Sequence, residues 1–565
     1  MIASPGRRGL VLVWMGALAL GFVLRALPLA AARPYIAYVD EGNFLHPAFR
    51  LVKNGGWDPR SYVYPQFPLI AVAAAARAAD PLYRSVRGQS LRDRIPGQEN
   101  EVYDELEPFA LLFIARCLSL ALGLGTIGLT GHLAMRLAGP WAGAAAALLA
   151  AVTPALVLRA SIATVDGYAT FFVLACLCFT DLTRTRSRAG VASFLAGAMA
   201  GAAFACKYPS VLILVAFGVT TLLQQTAWGE RLRRLCLAVL GLVAGALLAM
   251  PVLLQHPGEV RDAIRLLSEV YAHLVSPPLW KQALLRAEWD LPYDRAELGF
   301  AFLALSVGGL ILGLRDRKIA ATVWGWCAFA ATSLILYGTQ SFRPFRNLMP
   351  LVPPGCVAVA LFFARIRERA RRPLAVDAVA LAWVFLAFTV PLTAYAVKRY
   401  RLEDTRTRAI DWLAARARPD DRIVIVRELG VHQQEVERLP AASTVQWWDS
   451  TGSEIRAGRP RFVVAGVFLR ENGSAIDVTT DPVVDADYEL RLRLGKTPTA
   501  PDMSWWHGNE QIVYVFERKS QDSRTSCGSS KAAPPRAIAP SASIGTSGAK
   551  TRAADQSIQS AGSGT

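Results

Sequence analysis

The sequence predicts an all-α polytopic membrane domain of about eleven transmembrane helices, followed by a small C-terminal extracytoplasmic α/β domain. Three observations carry this. The 565 residues are 53% hydrophobic, with a positive mean hydropathy. The apolar residues gather into blocks of roughly 16 to 25, the length that crosses a bilayer. Beyond residue 400 the blocks give way to shorter, strand-like runs. An excess of 61 Lys and Arg over 44 Asp and Glu leaves a net charge of +17. Such a charge would suggest nucleic acid if the basic residues shared one face or stripe; they do not, so no nucleic-acid partner is expected.

Taken in order, the spans fall near 10–32, 108–136, 141–159, 167–182, 191–206, 209–228, 235–255, 298–314, 319–338, 348–364 and 374–397. Short basic clusters sit between alternate spans: Arg7 and Arg8; Arg184, Arg186 and Arg188; Arg231, Arg233 and Arg234; Arg315, Arg317 and Lys318; and Arg365 through Arg372. The positive-inside rule makes these cytoplasmic, giving a multi-pass protein of the plasma (inner) membrane with a cytoplasmic N-terminus and an extracytoplasmic C-terminal domain. The first span is too long for a signal-peptide core and reads as an anchor. Residues 1–399 then form the membrane domain, with external loops 33–107 and 256–297.

The first external loop opens on "EGNFLHPAFRLVKNG", a potential helix. It also carries an apolar stretch from Phe67 to Ala79, too short to cross and suited to an interfacial helix. The second carries Trp280, Trp289 and Tyr293, which suit the headgroup level. After the last span, "DTRTRAIDWLAARARPDDRIVIV" reads as amphipathic helix, turn and strand; further strands are expected at "RFVVAGVFL", "YELRLRL" and "QIVYVFE". This defines an α/β domain over 400–518, and 519–565, rich in Ser, Gly, Ala and Thr, reads as a disordered tail. Seven of the eight cysteines lie in or at the ends of apolar spans, and the six histidines lack metal-ligand spacing. No phosphate-cradling glycine loop or nucleophile elbow is present.

Costly side chains gather at the outer ends of spans: Asp40 and Glu41 after the first, Asp166 between the third and fourth, Lys207 between the fifth and sixth, and Arg343 with Arg346 between the ninth and tenth. Arg25 and Arg116 lie roughly 8 residues, or about 12 Å of helix, deeper. A charge at membrane depth costs about 2.5–3.5 kcal/mol on insertion scales, so such residues are usually paired or line a wet cavity. Each has a plainer reading. Asp40, Glu41 and Asp166 suit helix starts, Arg343 and Arg346 suit interfacial snorkelling, and Arg25 and Arg116 suit structural ion pairs. Together, all on one side of the membrane, they argue for a site.

Carboxylates opposed to cations at an outer membrane boundary fit glycosyl transfer from a polyprenyl-phosphate sugar. The acceptor hydroxyl needs a general base, the phosphate leaving group needs fixed positive charge, and an oxocarbenium-like transition state is stabilised by a carboxylate. The alternative is a membrane transporter or flippase of a lipid-linked or anionic substrate, which would place its charges nearer mid-depth between internal repeats. No repeat relates the two halves.

The segments "VDEGN", "SIATVDGYATFF", "CKYPSVLI" and "FRPFRNLMPLVPP", with an Arg inside the first span and Arg116 near the start of the second, resemble the multi-spanning C-type glycosyltransferases, in particular the dolichyl-phosphate-mannose–protein mannosyltransferase-like family. The resemblance covers roughly residues 10–400. It implies an inverting transferase that uses a polyprenyl-phosphate sugar on the extracytoplasmic side and a protein, glycolipid or polysaccharide acceptor. By position, Asp40 matches the family's proposed base, Glu41 its partner and Asp166 the second acid. Arg25, Arg116, Lys207, Arg343 and Arg346 would face the lipid phosphate. The branch that puts aminoarabinose on lipid A often carries Lys-Pro after the first-loop helix; "VYPQFPL" here departs from it and weighs against a lipid A acceptor. No carboxylate spacing demands a metal, although a divalent cation could be held by acids beside a phosphate.

Overall fold

A computed structural model of the chain describes residues 7–30, 39–94, 109–185, 188–272, 300–338, 345–371, 373–384, 404–426, 433–439, 442–445, 458–469, 475–477, 487–495 and 513–519, with single positions at 386, 429 and 431. Its membrane part is helical. The first helix, α1, is Arg7–Ala26; two extramembrane helices follow, α2 (Val39–Asn54) and α3 (Gln66–Arg87). The longest, α4 (Phe109–Val152), is two helices joined at Ala138 and Gly139, where Gly139 takes φ +86° just before Pro140. A residue without Cβ adopts that conformation at little cost, and the proline removes the next helical donor. Two expected spans therefore run on from each other through a sharp turn.

The rest are α5 (Pro154–Ala160), α6 (Val165–Leu182), α7 (Ala189–Phe204), α8 (Ile213–Leu223), α9 (Trp228–Ala249), α10 (Val252–Gln255), α11 (Pro257–Ala272), α12 (Phe300–Arg315), α13 (Ala320–Gly338), α14 (Val352–Arg369) and α15 (Pro373–Val384). Six helical stretches among the described residues are long and apolar enough to cross a bilayer, and four apolar helices are shorter, at 10–17 residues. The expected count of about eleven is thus met by length in six stretches only. At 1.5 Å per residue, the 16-residue α7 is about 24 Å long against a hydrocarbon core of about 30 Å.

Packing is by small residues. Gly197 and Gly201 of α7 face Gly241 and Gly245 of α9. A Cβ on Gly197 would collide with the Ala238 carbonyl, and one on Gly241 with that of Phe194. Lipid gives helices no hydrophobic reason to associate, so close backbone approach through such small-xxx-small pairs supplies the contact. The core behind it holds Leu133, Val173, Leu177, Phe217, Trp326 and Leu361, drawn from α4, α6, α8, α13 and α14.

The C-terminal part is a sheet in the order β2-β1-β3-β6-β5, built from β1 (Ile423–Val426), β2 (Ala442–Val445), β3 (Phe462–Leu469), β5 (Tyr488–Leu494) and β6 (Val513–Arg518), with β4 (Ala475–Asp477) paired to β3. β1 runs parallel to β2 and β3, while β3, β6 and β5 are antiparallel neighbours. Helix α16 (Thr405–Ala414) is capped by Asp404, whose carboxylate accepts from Arg406 N at 2.9 Å. Its Ala409, Ile410 and Leu413 join the sheet's core. The four expected strands are all present. β2 and β4 were not foreseen, being only four and three residues long. The expected loop aromatics at 280–293 and residues 520–565 of the tail lie outside the described residues.

The tight α7–α9 contact predicts that Gly241→Leu lowers the thermal midpoint of the detergent-purified protein by several degrees, because overpacking costs about 1–3 kcal/mol or more. Gly218→Ala, where an added Cβ meets nothing within 4 Å, should leave it unchanged. Equal midpoints for the two variants would contradict this packing.

Candidate functional site

Two ion-paired clusters lie at one end of the bundle, on either side of the start of α6. The first centres on Glu41. Asp40 and Glu41 occupy the first turn of α2, where acids are favoured by the helix dipole. Glu41 and Arg116 are fully buried, and the guanidinium donates twice to the carboxylate, from Nε and Nη2, each at 2.8 Å. Arg116 Nη1 also donates to Leu29 O at 2.8 Å, and Glu41 Oε1 accepts from Ala163 N at 2.8 Å. Four segments meet here: the turn after α1, the start of α2, the first helix of α4 and the loop entering α6. A buried pair survives only with such geometry and additional hydrogen bonds, since desolvation otherwise outweighs the attraction.

The second cluster centres on Lys207, in the turn after α7. Its Nζ donates to Asp166 Oδ1 and to Asn347 Oδ1, each at 2.7 Å. Asp166 lies in the first turn of α6 and is buried; Asn347 belongs to the 3₁₀ turn Phe345–Leu351. Arg346, next to Asn347, is half-buried. The structure thus brings together Asp166, Lys207 and the "FRNLMP" turn. Asn347 escaped the sequence reading because an uncharged amide directly after Arg346 carries no charge signal.

Arg25 meets a different arrangement from the expected phosphate site. Its Nη2 donates to Ala150 O at 3.0 Å and its Nη1 to Ala151 O at 2.9 Å, among the last carbonyls of α4. Helix C-termini leave such carbonyls without intrahelical donors. Pro154 removes the N–H that would have met Ala150 O, and Arg25 supplies the replacement. A Cβ at Gly123 would meet the Arg25 side chain at 3.2 Å, so that glycine makes room for it. Arg116 likewise spends its donors on Glu41 and Leu29 rather than on an open site. The side chain of Asp40 and all of Arg343 lie outside the described residues.

The extramembrane helices cover this end of the bundle. Phe44 of α2 approaches Tyr168 of α6 with ring centroids 6.4 Å apart. Tyr208 Oη donates to Tyr62 O at 2.7 Å, and Phe67 N to Ala205 O at 3.1 Å, which ties the start of α3 to the chain on either side of Lys207. His46, half-buried in α2, is held below its usual pKa by burial and then by Arg50, so it is neutral at pH 7. Among the described residues no group of three or more His, Cys, Asp or Glu side chains could hold a metal ion.

Residues 110–254 match the family model described as dolichyl-phosphate-mannose-protein mannosyltransferase. Among solved structures, ArnT from Cupriavidus metallidurans in the apo state is similar at a TM-score of 0.52 and 14% identity, covering 91% of this chain and 98% of that one. The same protein bound to undecaprenyl phosphate gives 0.51 at 14% identity, with the same coverage of 91% and 98%. The archaeal oligosaccharyltransferase AglB from Archaeoglobus fulgidus, in complex with an inhibitory peptide and a dolichol-phosphate, gives 0.50 at 10% identity and covers 91% of this chain and 89% of that one. No curated protein matches the chain by sequence. At these identities the likeness shows the fold, and with the apolar helices it makes this a multi-pass membrane protein. Within that fold, residues 110–254 carry the match to the mannosyltransferase family, and the resemblance to C-type, polyprenyl-phosphate-dependent glycosyltransferases read from the sequence is borne out.

Proposed function

We infer that the protein transfers a sugar, with inversion, from a polyprenyl-phosphate donor to an acceptor hydroxyl at the extracytoplasmic membrane boundary. One observation carries this reading most: Glu41 accepts from Ala163 N, which ties the acid-bearing first turn of α2 to the loop three residues before Asp166. The first acidic pair and the Asp166–Lys207–Asn347 cluster then flank the same helix start. The fold shared with ArnT, a structure of which is bound to undecaprenyl phosphate, supports the lipid-linked donor.

In the proposed reaction, Asp40 takes the proton of the acceptor hydroxyl as its oxygen attacks the anomeric carbon. The bond from that carbon to the phosphate oxygen breaks, and the polyprenyl phosphate leaves with the electron pair. Lys207 and Arg346, with Arg343 nearby in sequence, supply the positive charge that the leaving phosphate requires. Asp166 and Asn347 orient Lys207. Glu41, Arg116 and Arg25 act differently: they hold the scaffold, Glu41 by fixing α2 and the arginines by satisfying buried acceptors. Eleven crossings with a cytoplasmic N-terminus would place this end of the bundle outside, with the 400–518 domain on the same side facing the acceptor.

Two outcomes separate chemistry from scaffold. Asp40→Asn should cut transfer in membranes by about 10²–10⁴-fold, the usual contribution of a general base, with expression and thermal midpoint unchanged. Wild-type turnover in that variant would remove Asp40 from the mechanism. Arg116→Met should instead destabilise by about 3–5 kcal/mol, because it strands a buried carboxylate. Adding Glu41→Gln should restore part of the lost thermal midpoint. An Arg116→Met protein as stable as wild type but unable to use the lipid donor would return Arg116 to the phosphate site.

A further inference from the structure

Lys207 stands in a turn whose own bonds fix its shape but not its place. The backbone there is extended, at φ −157° and ψ 114°, between the end of α7 and the 3₁₀ turn Tyr208–Leu212. Lys207 N donates to Ala203 O at 2.9 Å, and Ser210 N to Lys207 O at 2.8 Å. The anchorage comes from the strap of chain that joins α2 to α3. Phe67 N, just past the strap, meets the carbonyl of Ala205, one of those that the end of α7 leaves without a helical donor. Tyr208 Oη meets the strap itself, at Tyr62 O. The strap is braced independently of the turn. Asp58 Oδ1 accepts from Tyr62 Oη at 3.0 Å and from Arg60 N at 2.9 Å, and Arg60 holds φ +51°, a conformation that a residue with a Cβ keeps only where its surroundings impose it. Gln66, buried, donates to Trp57 O at 2.6 Å and accepts from Val252 N at 3.2 Å, closing the strap on itself and fastening it to α10. The Tyr62 and Tyr208 rings pack in one apolar cluster with Met250 and Val252.

We propose that Tyr208 is a positioning residue for Lys207: its hydrogen bond to the braced strap sets where the lysine stands toward the leaving phosphate, which rests on the transferase reading above. A lysine ammonium is a point charge on a flexible four-carbon stem, so its place depends on both of its ends. Asp166 and Asn347 hold the head. The base is held by the bonds on either side of it, at Ala205 and at Tyr208. A phenyl ring at 208 would fill the same apolar space, against Phe204 at 5.3 Å between centroids; only the hydroxyl adds a directional bond. The strap also continues from the C-terminal end of α2, the helix whose first turn bears Asp40. Tyr208 therefore registers the cation to the same piece of chain that carries the proposed base. Such registration matters because a misplacement of about 1 Å at a reacting centre can cost about 10²-fold in rate.

The test measures equilibrium binding of tritiated undecaprenyl phosphate to the full-length protein in detergent, with Tyr208→Phe, Lys207→Ala and their combination as variants. Lys207→Ala should weaken binding more than about tenfold, and Tyr208→Phe about tenfold. In the Lys207→Ala background, Tyr208→Phe should cost less than about twofold, because the group it positions is gone; a merely structural tyrosine would cost the same in both backgrounds. Tyr62→Phe loosens the strap from Asp58 without touching the turn. It should cost about threefold, again only while Lys207 is present, and it carries the test should Tyr208→Phe fail to fold. Tyr488→Phe removes a comparable tyrosine-to-carbonyl bond, to Pro460 O at 3.0 Å in the C-terminal sheet, and should leave binding unchanged. Equal losses in the two backgrounds, wild-type affinity in both Tyr208→Phe and Tyr62→Phe, or a loss in Tyr488→Phe as large as that in Tyr208→Phe overturns the positioning role and leaves Lys207 at the phosphate. Wild-type affinity in Lys207→Ala removes both roles, and a wild-type protein that does not bind the probe overturns the transferase reading with them.

Discussion

The buried Glu41–Arg116 pair is the constraint on which the outer end of the bundle depends. It is held by two guanidinium contacts, a backbone amide and a backbone carbonyl, all at 2.8 Å. In a low-dielectric interior an ion pair with open valences would be a liability, and this one has its bonding spread over four segments. The consequence is positional. Helix α2 lies outside the core of spans and has few apolar anchors at its start, yet its first turn is locked to the entry of α6. The backbone position next to Glu41, that of Asp40, is thereby delivered to a fixed place.

The same logic recurs with different partners. Arg25 replaces the donor that Pro154 lacks, so the chain can leave α4 and begin α5 without orphaning a carbonyl. Lys207 is steered by Asp166 and Asn347 rather than left to snorkel. Close glycine packing between α7 and α9 in turn holds the end of α7, from which Lys207 projects. Charge at this boundary is therefore divided between groups that build the frame and groups placed by it.

Much of this was legible in the sequence, and the limits have physical causes. Apolar blocks marked the helices because bilayer thickness sets their length. They gave α7 its length, 16 residues expected at 191–206 and 16 found over Ala189–Phe204, but not the close packing its Gly and Ala serve. "RIVIV" and "RFVVAGVFL" announced β1 and β3 by β-branched content, whereas the four residues "ASTV" of β2, only two of them β-branched, offered a weaker signal. Acids at the outer ends of spans identified Asp40, Glu41 and Asp166 together. Their separate duties depend on partners far along the chain. An arginine inside a span looks the same whether it meets a carboxylate, a helix end or a lipid phosphate; Arg116, Arg25 and Lys207 could be separated only by geometry. The Ala163 amide is invisible to any side-chain pattern.

The central claim is that frame and chemistry are separate, and a structure determined with polyprenyl phosphate bound tests it most directly. The account predicts the phosphate within hydrogen-bonding reach of Lys207 or the Arg346 turn, beside the start of α6, with the Glu41–Arg116 pair intact. A phosphate seated on Arg116 or Arg25, with Glu41 released, would contradict it.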